Sequence, residues 1–353
     1  MLEQLIDSYG EGTLLMAAGA ITGVFFGSAA QHSRFCLRAA TVELSEGQFG
    51  PRLPIWLIAF SAAVFCVQTA IALEWVNLSE ARQLAATGSM SGAIIGGLLF
   101  GAGMILARGC ASRLLVLSAT GNLRAIVTGL VLTLVAQASL RGALSPAREW
   151  LGGLWLVPGG EARNMLILLS LDAGFAALAG ALCLLIALVL AIRSGIEITR
   201  IVAAAFVGVA VALGWFLTWA IAQTSFDVVP ISSVTFTGPS TDTLMGLVNA
   251  SELPLSFGVG LVPGVFVGAG VAALATGEAR IERFGPDTPM ERYMIGAVLM
   301  GFGSMLAGGC AVGAGMTGGS IFAVTAWVAV FCMWVGAMLT HRLMTLRPAR
   351  LTA

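Results

Sequence analysis

Three cysteines sit in settings that suit the handling of a soft anion. Cys36 lies in Gln31-His32-Ser33-Arg34-Phe35-Cys36-Leu37-Arg38, Cys110 in Arg108-Gly109-Cys110-Ala111, and Cys310 in Gly308-Gly309-Cys310-Ala311. A neutral thiol is small and polarizable, a weak donor and a weak acceptor. It can touch a sulfur-bearing anion without the repulsion that a carboxylate would bring. A solute handed from thiol to thiol need not be held tightly at any station, which is what conduction requires. A carrier of hard oxyanions is expected to use several Arg or Lys instead.

The glycines beside two of these cysteines suggest broken helices. A break inside a membrane frees N–H and C=O groups, and this is tolerated only against protein or a wet cavity. Arg108-Gly109-Cys110 and Gly308-Gly309-Cys310 read as such breaks, each followed by a short apolar piece, 110–120 and 310–320. If those pieces begin as half-helices, their N-termini offer partial positive charge and free N–H donors to an anion. Arg34 and Arg38 flank Cys36 and either attract an anion at the mouth or anchor the chain on the cytoplasmic side. Arg108, near the bilayer centre, carries an insertion cost of ~2.5–3.5 kcal/mol; it either lines the pathway or snorkels to the edge. Arg113, within a turn of Cys110, is open to the same two roles. Cys66, Cys183 and Cys332 fall inside unbroken apolar runs and are expected to pack as small core residues. His32 reads as an interface residue, and Glu74 and Asp172 as span-end residues.

What must position these groups follows from composition. Of 353 residues, 58% are hydrophobic and 10% charged, against ~25% charged in soluble domains, which excludes a single soluble globule. Basic and acidic residues balance at 18 each, so no basic face calls for nucleic acid. Every basic residue is Arg, which leaves no lysine for a Walker A loop. The six cysteines include no Cys-x-x-Cys pair and there are two histidines, so neither a disulfide framework nor a zinc site is expected, and no cofactor. The first residues lack the positive region of a secretory signal, so the first apolar stretch is expected to stay in the protein.

A span needs ~20 mostly apolar residues. Candidates fall at roughly 13–31, 54–74, 90–108, 124–141, 164–192, 201–223, 256–276, 293–309 and 321–341. The expected fold is an all-α integral membrane protein of about nine transmembrane helices plus short half-helices. Arginine placement sets the orientation. Glu3, Asp7 and Glu11 put the N-terminus outside, and the 224–255 loop, with Asp227, Asp242 and Glu252, is also outside. Arg34, Arg38, Arg52, Arg193, Arg200, Arg280, Arg283, Arg292, Arg342, Arg347 and Arg350 read as cytoplasmic, which leaves the C-terminus inside. Arg141, Arg148 and Arg163 fall outside, against the trend.

Self-similarity adds a constraint. Residues 96–111 (GGLLFGAGMILARGCA) match 296–311 (GAVLMGFGSMLAGGCA) at nine positions in one register, including Gly96/Gly296, Gly103/Gly303 and Cys110/Cys310. The charge count runs the two segments in opposite directions, the mark of an inverted repeat. The chain is then one polytopic unit: half one about 13–145, linking helices about 146–255, and half two about 256–341. A second match pairs Gly19, Gly23 and Gly27 with Gly260, Gly264 and Gly268. Both of these segments run the same way, so this is either shared packing chemistry or a sign of a miscounted crossing.

The paired Gly-x-Gly…Gly-Cys-Ala segments and the Arg-Phe-Cys stretch resemble the YeeE/YedE family of bacterial inner-membrane proteins, over roughly residues 15–340. The resemblance implies an hourglass-shaped protein with pseudo-two-fold symmetry in the cell inner membrane. It implies uptake of a small sulfur-containing anion, thiosulfate foremost, without enzyme chemistry. Cys36, Cys110 and Cys310 match the family's three pathway cysteines, which relay the anion by S–H···S contacts. A small cytoplasmic sulfur-carrier protein of the TusA type is the implied partner. The first repeat departs from the second in carrying Arg108 where the second has Gly308. Two other functions remain open on the residues: a membrane thiol redox enzyme, disfavoured by the missing Cys-x-x-Cys, and a Cu(I) channel with soft ligands.

Overall fold

The computed structural model describes residues 2–48, 50–249, 254–284 and 289–346. Met1, Glu252, Arg347 and Arg350, used in the readings of the termini and charges, lie outside those residues. Among the described residues, nine helical stretches are long and apolar enough to cross a membrane. In chain order, α1 (Glu11–Ser33) leads through a break into α2 (Leu37–Ser45), and α3 (Arg52–Ala72) follows. Next, α4 (Met90–Leu106) leads into α5 (Ala111–Ala119), followed by α6 (Leu123–Arg141) and α7 (Ala173–Arg193). The chain continues with α8 (Ile198–Thr224), α9 (Thr237–Asn249) and α10 (Phe257–Ala275). Finally, α11 (Met290–Leu306) leads into a π-helical segment (Ala311–Gly318), and α12 (Val324–Thr345) ends the described chain.

These bounds follow the apolar runs closely, with one exception. The expected span 164–192 begins only at Ala173, because polar caps divide it. Asn164 Oδ1 accepts from the Leu166 N–H and Asp172 Oδ1 from the Phe175 N–H, both at 3.0 Å, so two helices start where one was read. Asp172 is thus a span-end cap, and Glu74, with φ 57°, sits just past α3.

Glycine decides which helices touch. A Cβ added to Gly23 would fall 2.4 Å from the Leu261 carbonyl oxygen, one on Gly27 2.3 Å from that of Val265, and one on Gly264 2.4 Å from that of Ala20. The two glycine stripes of α1 and α10 therefore face each other, backbone on backbone, in parallel. The second sequence match is packing chemistry. At the α4–α11 crossing, a Cβ added to Gly96 would fall 2.5 Å from the Gly303 carbonyl oxygen and one on Gly103 2.6 Å from that of Gly296, and Cβ atoms on Gly296 and Gly303 would fall 2.7 Å from those of Gly103 and Gly96. Rising numbers on one helix meet falling numbers on the other, so these segments are antiparallel. A shift of 200 residues maps this crossing onto itself.

Other contacts recur in swapped pairs. α1 packs on α10 as α8 packs on α3, and α4 on α12 as α11 on α6. α2 meets α12 as α9 meets α6, and α5 lies on α6 as the π-helical segment lies on α12. α7 packs chiefly on α3 and has no counterpart.

Part of the 224–255 loop is buried. Ile231, Ser233, Val234 and Phe236 are buried in extended backbone, and α9 follows. Extended backbone at this depth must find partners. Thr218 donates to the Ser232 carbonyl at 2.6 Å, and Thr317 donates to that of Val234. Two arginines that ran against the charge trend are also explained. Arg163 donates to the Ala86 carbonyl and Thr325 Oγ1 at 2.6 Å each, and Arg148 donates to the Ser139 carbonyl at 2.7 Å.

Candidate functional site

Each of the three cysteines follows a helix stop of the same geometry. The stops turn on Arg34 (φ 55°), Arg108 (φ 55°) and Gly308 (φ 78°), all left-handed. The next residue then donates back across the turn: Phe35 to Ala30 at 3.1 Å, Gly109 to Met104 at 3.1 Å, and Gly309 to Ser304 at 2.9 Å. This is the Schellman pattern, which glycine adopts without strain. For arginine the left-handed conformation costs ~1–2 kcal/mol, so Arg34 and Arg108 hold their places at a cost to stability. The cysteine comes next in extended conformation, as the N-cap of α2, α5 and the π-helical segment. None of these caps is closed by a side-chain hydrogen bond, which leaves helix N–H donors to be met by other groups.

Cys36 and Cys110 come together from different helices. Their side chains lie near enough to influence one another, without a hydrogen bond between the two thiols among the described residues. Cys110 Sγ also lies 3.3 Å from Ser112 Oγ. Arg38 and Arg113 lie within charge range of Cys36. Arg113 donates to Gln31 Oε1 at 3.3 Å, and Arg38 Nε is buried without a hydrogen-bond partner among the described residues. A guanidinium carries five N–H donors, and a buried donor left unpaired costs ~1–3 kcal/mol. One unpaired cationic donor, Arg38 Nε, thus lies within charge range of Cys36. Arg124 supports the break from outside the pocket: it donates to the Ala107 carbonyl at 3.0 Å, with its guanidinium 4.8 Å over the Tyr293 ring.

The other site candidates are placed differently. Arg34 is half-buried and paired with Glu278, Nη2 to Oε1, at 2.8 Å. Arg108 is exposed and lies within charge range of Arg38. Cys310 is buried in the mirrored break, in the uncharged run Gly308-Gly309-Cys310-Ala311-Val312-Gly313. Among the described residues its thiol makes no hydrogen bond to Cys36 or Cys110, although α5 and the π-helical segment approach each other. Of the remaining thiols, Cys332 is buried and Cys66 half-buried, as expected for packing residues. Cys183, expected to pack, is exposed instead and lines an open apolar cavity between α7, α3 and α12. A cavity of about 480 Å³ walled by Trp56, Phe60, Trp327 and Trp334 contains none of the three candidate thiols and is apolar. Among the described residues, no group of three or more His, Cys, Asp or Glu could hold a metal ion.

Gln31, Ser112, Arg124 and Glu278 emerge only from the fold. Gln31 and Ser112 lie beside the cysteine motifs and could have been picked out by proximity. Glu278 is 244 residues from its partner Arg34, and nothing local in the sequence links them.

Nine spans among the described residues and thiols at mirrored helix breaks within reach of arginine charge are those of a multi-pass membrane transport protein. The chain belongs to the Sulphur transport (YeeE/YedE) family, whose profile matches residues 32–339. It is similar to the thiosulfate transporter TsuA of Escherichia coli strain K12, 26% identical over 95% of this chain and 96% of the relative. It is also similar to the thiosulfate transporter TsuA of Spirochaeta thermophila, 27% identical over 88% of this chain and 93% of that one. It is a transporter rather than an enzyme.

Proposed function

We propose that this protein is a thiosulfate permease in which Cys36, Cys110 and Cys310 form the substrate pathway. One observation carries this reading: the Cys36 and Cys110 thiols lie within range of each other at two helix breaks, with the Arg38 and Arg113 charges acting on Cys36. The terminal sulfur of thiosulfate is a soft acceptor for S–H donors, and its sulfonate oxygens suit N–H donors. Cys310, at the mirrored break towards the outer side, is the entry station, and Cys110 and Cys36 follow towards the cytoplasm. Arg113 and Arg38 draw the anion inward from Cys310; Arg34 and Arg108 add to the positive field around the cytoplasmic mouth. The names of the two relatives support thiosulfate as the substrate.

The swapped helix contacts support two inverted halves, 11–141 and 198–345, joined through α7. The second half then begins ahead of the boundary near 256 that the sequence suggested. We assign the N-terminus to the outside and the C-terminus to the cytoplasm of a bacterial inner membrane, on arginine placement. A sulfur-carrier protein of the TusA type is the proposed recipient on the cytoplasmic side.

The test is radiolabelled thiosulfate uptake into cells that depend on this protein for sulfur, with each of the six cysteines replaced by Ala. Uptake is expected to fall at least about tenfold at positions 36, 110 and 310, which corresponds to ~1.4 kcal/mol or more of lost stabilisation. It should stay near wild type at 66, 183 and 332. Equal tolerance at all six positions would remove the pathway.

A further inference from the structure

The loop after α10 places a carboxylate at the edge of the cationic pocket. The Gly277 turn (φ 69°) closes α10, and the Glu278 N–H is tied to the Ala273 carbonyl at 2.8 Å, so the side chain starts from a fixed point. One carboxylate oxygen accepts from Arg34 Nη2 and the other from Gln31 Nε2, both at 2.8 Å. Gln31 is buried, and its own oxygen accepts from Arg113. Glu278 is thus connected to Arg113, beside the thiols, through a single amide. Among the described residues it is the one carboxylate that bridges to any of Arg34, Arg38, Arg108 or Arg113.

We propose that Glu278 is a tethered counter-anion, which occupies the cationic mouth in the empty protein and is displaced when the substrate anion arrives. This rests on the thiosulfate assignment above and adds a residue that sets affinity and release. Two observations separate it from a structural clamp. The Arg34 and Glu278 side chains are 39% and 37% exposed, and ion pairs that open to solvent contribute little to stability. The contact is therefore easy to break and poorly suited to holding helices together. The second is its connectivity: when the carboxylate leaves, Arg34 and the amide of Gln31 are released together, which frees donors on the side from which Arg113 is reached. Hydrogen bonding from Arg34 holds the Glu278 carboxyl below its ordinary titration range, so it stays charged near neutral pH.

A tethered carboxylate competes with the ligand for the same cations, so its removal should tighten binding. The experiment is calorimetric titration of thiosulfate into the purified full-length protein in detergent, with thermal unfolding followed in parallel. Wild type is expected to bind, Glu278→Gln to bind about fivefold tighter with little change in melting temperature, and Glu278→Asp, which keeps the charge, to stay near wild type. Equal or weaker binding by Glu278→Gln would overturn the proposal and leave the thiosulfate assignment standing. Loss of folded protein in that variant would show the bridge to be structural and would overturn it equally. If wild type itself fails to bind thiosulfate, the substrate assignment falls and this proposal with it.

Discussion

Replacing Gly103 and Gly303 by alanine, singly and together, tests the crossing that holds the mirrored breaks in register. A Cβ on Gly103 would lie 2.6 Å from the Gly296 carbonyl oxygen, and one on Gly303 2.7 Å from that of Gly96. Ordinary contact begins near 3.4 Å, so α4 and α11 must part by about 0.8 Å in the Gly103 variant and about 0.7 Å in the Gly303 variant. The obstacles include main-chain atoms of a helix, which cannot swing aside as a side-chain tip can. Overpacking of this kind costs ~1–3 kcal/mol. Both contacts belong to one crossing, so the parting that accommodates the first methyl already makes room for the second. The double variant should therefore fall short of the summed costs by about 1 kcal/mol, a coupling within the range for residues that share a displacement. Gly129→Ala on α6 is the control, because nothing lies within 4 Å of its added Cβ. It should be neutral or stabilising by up to ~1 kcal/mol through helix propensity. Unfolding free energies from denaturing-detergent titration in mixed micelles would supply the cycle. Cys110 and Cys310 follow Gly103 and Gly303 at the ends of the same two helices, so uptake should fall in the variants but not in the control. Wild-type stability in both single variants, or strict additivity in the double, would refute the shared crossing.

Two further outcomes follow from local geometry. Arg108→Gly removes left-handed strain at the first break while leaving the Schellman bonds intact. Thermal unfolding should show stability equal to wild type or higher by ~1 kcal/mol, and a clear loss would mean that the guanidinium makes a stabilising contact. Asn122 caps α6 through the Ala125 N–H at 3.0 Å and also donates to Glu282. Asn122→Ala should cost ~1 kcal/mol and Asn122→Ser, which keeps a cap acceptor, measurably less; identical unfolding curves for the two would rule out the capping role.

Much of the site could be read before any fold was known, for a physical reason. Helix breaks in a membrane are local events: Gly109, Gly308 and Gly309 advertise them, and the cysteine after each is fixed as an N-cap by a few bonds along the chain. Apolar runs of span length are equally local, which is why the nine spans were legible. The exposure of Cys183 was not, because an apolar run looks the same whether its helix packs inward or faces lipid. The 224–255 stretch was less legible for the opposite reason: its Ser232 and Val234 carbonyls are met by Thr218 and Thr317 from other segments, and Ser233 donates to the Val211 carbonyl rather than to water.

From composition and pattern alone, the chain was committed to a bilayer and to paired broken helices at Cys110 and Cys310; the matching turn before Cys36 came only with the fold. The approach of Cys36 to Cys110, the capture of Arg34 by Glu278 and the face-to-face seating of the two glycine stripes were settled only by tertiary structure. Each joins residues far apart along the chain. Their contacts depend on which helix faces close against one another, and close approach is set by the whole set of packed neighbours rather than by any one segment.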